Sequence, residues 1–368
     1  MRAHVSATRM WDSEIGGTGC GELEPAHVAA FVKRQCAVEV ERILLDLQPL
    51  RGGLESRAVA RVQAEATVCR GTPRSFTFVV KRLDGPGHRE LAMYELLSTA
   101  GARAVPVLVG VQVVSPSISY MFLEWVPASR WPWAEPGLVA HVLEQLAEMH
   151  MALPVSGLAG SLSAWDYESE LLTKAAATLN ALEAAVGIEA LAGLRGGIPA
   201  LQRVVSALPG MRRQLLSPGP LGRAVLHGDV HSGNVLVRDG GRQRSAVLVD
   251  WARARVGSPL EDVSSWLESL GYWEPAVRKQ RVPLLRHYLR ARGLPSALER
   301  ELYLSYWVAA ACNALAGALH YHLLQAIRAG DAPPHRQVEA RRAVLDHLDA
   351  IQLADAVWRH AAPLATPG

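Results

Sequence analysis

The chain has 368 residues, 49% of them hydrophobic and 20% charged, with 38 Lys and Arg against 35 Asp and Glu. That length predicts about two domains, or two lobes of one, and the hydrophobic content excludes a globally disordered chain. A net charge of +3 is too small for a dedicated nucleic-acid binder.

The N-terminal stretch, with Gly16, Gly17, Gly19 and Gly21, lacks the apolar core of a secretory signal. A helical run is predicted near Val28 to Leu45, and residues 1–43 are expected to form an N-terminal helical extension. From about Leu44 the texture becomes β-like. Ala58 to Val68 alternates apolar with polar or small residues, as a half-exposed strand does. Phe76 to Val80 is a compact apolar run ending at Lys81. Glu90 to Leu97 carries Leu91, Tyr94 and Leu97 at helical spacing. Val105 to Val114 and Ile118 to Trp125 read as two further strands joined by Ser115-Pro116-Ser117. The order is strand, strand, strand, helix, strand, strand.

Beyond Trp125 the pattern is mostly helical. Val139, Val142, Leu146 and Met149 line one face of an amphipathic helix, and alanine-rich helices are expected around Leu171 to Leu194 and Tyr303 to Ile327. One β interlude, Ala224 to Asp250, interrupts them. The most apolar stretch, Trp307 to Ala318, contains Asn313 and is too short to span a bilayer, so it reads as a buried helix and no membrane partner is expected. Cys20, Cys36, Cys69 and Cys312 form neither a CxxC pair nor a cluster with histidines, which suits a reducing cytoplasm.

The chemistry concentrates in the β interlude. Leu226-His227-Gly228-Asp229-Val230-His231-Ser232-Gly233-Asn234 leads into an apolar run, and Ala246 to Val249 returns to Asp250-Trp251. Around Asp239-Gly240-Gly241 these runs predict an antiparallel hairpin, which brings Asn234 and Asp250 to one end, near Asp229. Such oxygen donors suit Mg²⁺, which keeps water and phosphate in its shell. Upstream, Arg51-Gly52-Gly53-Leu54-Glu55-Ser56-Arg57 lies between two predicted strands, where glycines let backbone amides approach phosphate. Lys81 is placed to enter a cleft, with Glu90 as its partner and Glu95 as the alternative.

This ordered set resembles the aminoglycoside phosphotransferase and choline kinase family. The resemblance covers roughly residues 44–270 and is strongest in His227 to Asp262. The family signature HGDxHxGN is matched by His227 to Asn234, the hydrophobic-Asp-Trp segment by Leu248 to Trp251, and the GxPxxDxA-type segment by Gly257 to Val263. It implies an α+β, bilobal, protein-kinase-like fold: a small antiparallel sheet lobe, 44–125, binding nucleotide, and a large, mainly helical lobe, 126–368, for catalysis and acceptor binding. It further implies phosphoryl transfer from ATP or GTP, with Mg²⁺, to a hydroxyl of a small-molecule acceptor. Asp229 would then receive the hydroxyl proton, while Asn234 and Asp250 hold Mg²⁺. Gly52, Gly53, Ser56 and Lys81 would face the phosphates, with Glu90 pairing the lysine. Glu124 to Val126 resemble the hinge that meets the base, and His227 and Asp262 would shape the catalytic loop. His231 stands where protein kinases carry a lysine, either on a phosphate or packed in the loop.

Two other readings compete. A metal-dependent hydrolase would use the HxDxH pattern of His227, Asp229 and His231 with Asp250, and a non-catalytic relative would bind nucleotide without turnover. The acceptor region, Val263 to Gln325, holds more arginines than acids and many aromatics, including Trp266, Tyr288, Tyr303, Tyr306 and Trp307. That balance disfavours a polycationic acceptor; the aromatics are expected mainly in the helical core. Trp131 and Trp133 either border the nucleotide site or anchor a loop.

Overall fold

The computed structural model describes residues 23–36, 40–50, 58–68, 72–127, 136–153, 155, 166–239, 244–273, 275–329 and 333–361. The chain divides into two compact units, Met1–Leu91 with Val107–Trp125, and Ala92–Pro106 with Val126–Gly368.

The first unit is built on a five-stranded sheet in the order β1-β2-β3-β5-β4, with every neighbouring pair antiparallel. The helix expected from Val28 to Leu45 is shorter: α1 spans Pro25–Cys36, and β1 is already running over Val40–Pro49. Pairing with β2 along its whole length overrides local helical tendency there. In β2 (Ala58–Val68) every second residue is buried, and these Ala and Val side chains share a core with Val28, Phe31 and Val32 of α1. The helix is thus an integral layer of this unit. Its Phe31 ring stacks on Phe122 at 3.6 Å, and a Cβ on Gly110 would lie 2.8 Å from the Phe31 ring, so only glycine admits this approach.

β3 spans Arg74–Asp84, longer than the apolar run Phe76 to Val80, because it is paired on both sides as far as Arg82 or Asp84. Lys81 is therefore inside a central strand rather than at its end. A 3₁₀ turn at Gly85–Gly87 leads into α2 (His88–Thr99). β4 (Leu108–Ser115) starts later than Val105; Pro106 has no N–H to give a ladder. β5 covers Ile118–Glu124.

The second unit is mainly helical. α3 (Pro136–Ala152) buries Val139, Val142, Leu146 and Met149, the stripe read from the sequence, and Leu143 beside them. α4 (Tyr167–Ala185) and α5 (Ile198–Leu215) follow. β6 (Ala224–Leu226), then the hairpin β7 (Val235–Asp239) and β8 (Arg244–Leu248), make up the β interlude; β6 pairs with a short β9 (Arg255–Gly257) that the sequence pattern did not reveal. α6 (Pro259–Trp273), α7 (Pro275–Lys279), α8 (Arg281–Ala291), α9 (Tyr303–Asn313), α10 (Leu319–Arg328) and α11 (Pro334–Ala361) complete it. The apolar stretch from Trp307 forms the buried part of α9 and one π-helical turn at Ala314–Ala318. Among the described residues no helix is long and apolar enough to cross a membrane.

Candidate active site

β6 ends at Leu226 and hands the chain to His227-Gly228-Asp229, whose backbone is held by groups distant in sequence. Asp262, in the first turn of α6, accepts the His227 N–H through Oδ2 at 2.8 Å and the Gly228 N–H through Oδ1 at 2.9 Å. The His227 ring is fully buried; Nε2 donates to the Val249 carbonyl at 2.9 Å while Nδ1 accepts from the Asp229 N–H at 3.3 Å. Burial pushes its pKa down from the ordinary histidine value, against the pull of Asp262 and Asp229. The neutral ring with its proton on Nε2 thus ties the loop to the residue before Asp250.

Asp262 is charged despite its burial. Burial raises its pKa, but the hydrogen bond and charge of His150, together with His227 and the Gly228 amide, outweigh this and hold it below the usual carboxylate range. His150 meets Asp262 Oδ2 through Nε2 at 3.2 Å and the Tyr288 hydroxyl through Nδ1 at 2.8 Å; Arg292 donates to the same hydroxyl at 3.2 Å. The sequence reading did not single out His150. A signal was present: it stands four residues after Leu146 and seven after Leu143, a histidine on the buried face of α3. That pattern alone does not separate a core histidine from a site residue.

The hairpin register, Val235 opposite Leu248, sets Asn234 beside Val249, whose N–H donates to the Asn234 carbonyl at 2.9 Å. The Gly240 and Gly241 of its expected turn lie outside the described residues. Asn234 Nδ2 donates to the Asp229 carbonyl at 3.0 Å and faces Asp229 Oδ2 at 3.4 Å. With Nδ2 so committed, Oδ1 is the amide atom left to face a cation. Asp250 has φ 65°, the one non-glycine positive φ among the described residues, a strained conformation of the kind found at functional sites. Carboxylate, amide oxygen and carboxylate form a hard donor set that fits Mg²⁺. The Asp229 side chain is 42% exposed, and His231 Nε2 lies 3.8 Å from its Oδ2. His231 Nδ1 accepts from the Gly233 N–H at 3.1 Å, so its ring caps the turn within the loop.

In the first unit Lys81 lies opposite Val59 and Met121, on the other face of β3 from Phe78 and Val80. Its Nζ is 2.5 Å from Glu90 Oε2, and both residues are buried. Glu95, the alternative partner, is exposed. The Glu124 N–H donates to the Val107 carbonyl at 2.9 Å, and its carboxylate accepts the Val107 N–H at 3.2 Å. Val126 is buried. Gly52, Gly53 and Ser56, with Arg51, Arg57, Trp131 and Trp133, lie outside the described residues.

The HxDxH hydrolase reading does not survive this geometry, because both ring nitrogens of buried His227 are engaged by backbone groups. Among the described residues no group of three or more His, Cys, Asp or Glu is arranged to hold a metal. Between Val263 and Gln325, Trp266, Tyr288, Tyr306 and Trp307 are buried core, whereas Tyr303 is exposed. Glu268 accepts from Arg281 Nε at 2.7 Å and from the Tyr306 hydroxyl at 2.5 Å, so this acid neutralises an internal arginine.

Residues 46–303 match the model of the phosphotransferase enzyme family. Among solved structures, an aminoglycoside phosphotransferase from Alicyclobacillus acidocaldarius is similar at 17% identity over 93% of this chain and 97% of that one, with TM-score 0.55. An ethanolamine kinase from Plasmodium vivax is similar at 12% identity over 89% and 84%, with TM-score 0.54. A spectinomycin phosphotransferase in complex with ADP and spectinomycin is similar at 14% identity over 90% and 98%, with TM-score 0.51. No curated protein sequence matches this chain. The structural likeness shows the bilobal, protein-kinase-like α+β fold that the sequence led one to expect. With the match spanning most of its length, the chain belongs to the phosphotransferase enzyme family.

Proposed function

We propose that this protein is a small-molecule kinase that moves the γ-phosphoryl group of a nucleoside triphosphate, ATP or GTP, to a hydroxyl of a small acceptor such as an antibiotic, an amino alcohol or a sugar-like metabolite. The observation that carries this reading is the loop around Asp229: an accessible carboxylate on a backbone pinned by Asp262 and His227, with Asn234 bonded to it. Asp229 orients the acceptor hydroxyl and takes its proton as the phosphoryl group moves across. Asn234 and Asp250 would hold Mg²⁺, which when bound would neutralise phosphate charge. Lys81, paired with Glu90, would bind the α- and β-phosphates, a role the sequence also assigns to Gly52, Gly53 and Ser56. The segment Glu124 to Val126 meets the base. His231 stays with the loop as its internal cap. The neighbours that act on spectinomycin and ethanolamine support an acceptor of that size. A substrate nucleotide and free Cys36 and Cys312 suit the cytoplasm.

A nucleotide-consumption screen over aminoglycosides, other antibiotics, amino alcohols and sugars tests this reading. With an acceptor in hand, Asp229→Asn is expected to lower transfer by about 10²- to 10⁴-fold while nucleotide binding persists. Near-wild-type transfer by that variant would remove Asp229 from its role, and nucleotide binding without turnover of any acceptor would favour the non-catalytic relative.

A further inference from the structure

We propose that Arg255, held by Glu261, is a positioning residue for Asp229, completing with Asp262 a two-sided clamp on Gly228. This rests on the kinase reading above. Gly228 is the last residue before Asp229, so the orientation of its peptide sets how the carboxylate leaves the loop. On the amide side Asp262 accepts the Gly228 N–H at 2.9 Å. On the carbonyl side Arg255 Nη1 donates to the Gly228 oxygen at 3.2 Å, while its Nη2 donates to Glu261 Oε2 at 2.7 Å. Two consecutive carboxylates of α6 therefore reach the same residue, one directly and one through an arginine.

Arg255 has little freedom to do anything else. It is buried, its guanidinium lies 3.9 Å over the Tyr167 ring, and in β9 it is paired with Leu226, the residue before the loop. Glu261 is itself fixed, since its Oε1 accepts the Ser258 N–H at 3.0 Å in a capping arrangement that starts α6. Arg212 adds a second cation, with Nη1 at 3.1 Å from Glu261 Oε2, and its opposite edge grips Glu168. Replacing a whole buried ion pair by apolar residues of similar volume is often neutral for stability. What they do not supply is a planar fork that bonds a carbonyl and a carboxylate together.

The test uses the full chain and three variants, Arg255→Met, Arg255→Lys and Glu261→Gln. Each is expected to lower kcat for transfer by about 10- to 100-fold while KM for nucleotide stays within about twofold. Arg255→Lys is expected to be nearly as impaired as Arg255→Met, because an ammonium lacks the fork. Hydrogen exchange without nucleotide, read on the peptide covering 227–234, is expected to quicken at least about tenfold in folded protein. Wild-type kcat, or a loss only in proportion to unfolded protein, would overturn the proposal, as would unchanged exchange in that peptide. If the wild type transfers phosphate to no acceptor, the kinase reading fails by itself, and the exchange arm still decides whether Arg255 orders the loop.

Discussion

Gly228 takes φ 82°, and a Cβ placed there would lie 2.1 Å from the Arg253 carbonyl oxygen and 2.4 Å from Arg255 Nη1. Backbone cannot yield as a flexible side chain does, so any larger residue forces the loop away from Asp262 and Arg255. Gly228→Ala is expected to destabilise the protein by about 3 kcal/mol and to abolish transfer. Chemical denaturation checks it; an unshifted midpoint would show that the loop is not held this way. At this scale the sequence shows which residues meet where the contacts are local. His227, Asp229 and Asn234 lie within a few residues of one another, and a tight loop turns their spacing directly into geometry. Lys81 was read as the end of a strand because the apolar run stops there; the pairing of β3 with both neighbours continues past it. His150 and Arg255 escaped because nothing near them in sequence announces a partner over a hundred residues away, or the turn of backbone between them and the loop.

At the scale of elements, α6 is the helix whose first turn holds the Asp229 loop. Pro259 at its start cannot extend a strand, Ser258 and Glu261 cap it, and Asp262 points at the loop. Its carboxylates give a pH dependence of defined sign. For Glu261, burial raises the pKa, but Arg255 and Arg212 outweigh it and hold the group below its ordinary value; Asp262 is lowered likewise through His150. Their stabilisation is present above the ordinary carboxylate range and is lost as pH falls toward their folded-state values. Buried His227, with a lowered pKa, adds to the same trend, because the unfolded chain takes up its proton first, below about pH 6.5. Stability is therefore expected to fall as the pH drops from 7 to 5, with the His227 contribution setting in below about 6.5. Denaturation midpoints across that range check this. A His227→Asn variant should show a shallower slope than the wild type, and an equal slope would exclude His227 as a source. The short β9 was missed for a reason of length, since three residues are too few to display a period of two.

On the scale of the whole molecule, helices beyond the residues matched by the family model are part of the core. α11 buries Val344, Leu348, Ile351 and Ala354, and Leu348 packs so closely on Gly197 that a Cβ there would sit 2.8 Å from it. Asp355 of α11 accepts from Arg203 of α5 through both oxygens, at 3.0 and 2.8 Å. Leu348→Ala is expected to cost about 2–4 kcal/mol, read from chemical denaturation. A change below about 0.5 kcal/mol would mean that α11 contributes little to this unit. Sequence by itself determined the fold class, the strand order around α2, the hairpin and the family, because hydrophobic periodicity and a dense local motif are properties of neighbouring residues. Tertiary structure alone decided that α1 is a layer of the sheet unit, that Lys81 and Glu90 are buried together, that His227 is closed to metal, and that Arg255, Glu261 and His150 support the Asp229 loop. The physical reason is the same in each case. Burial and hydrogen-bond partnership arise from segments far apart in the chain, and only packing determines which of them meet.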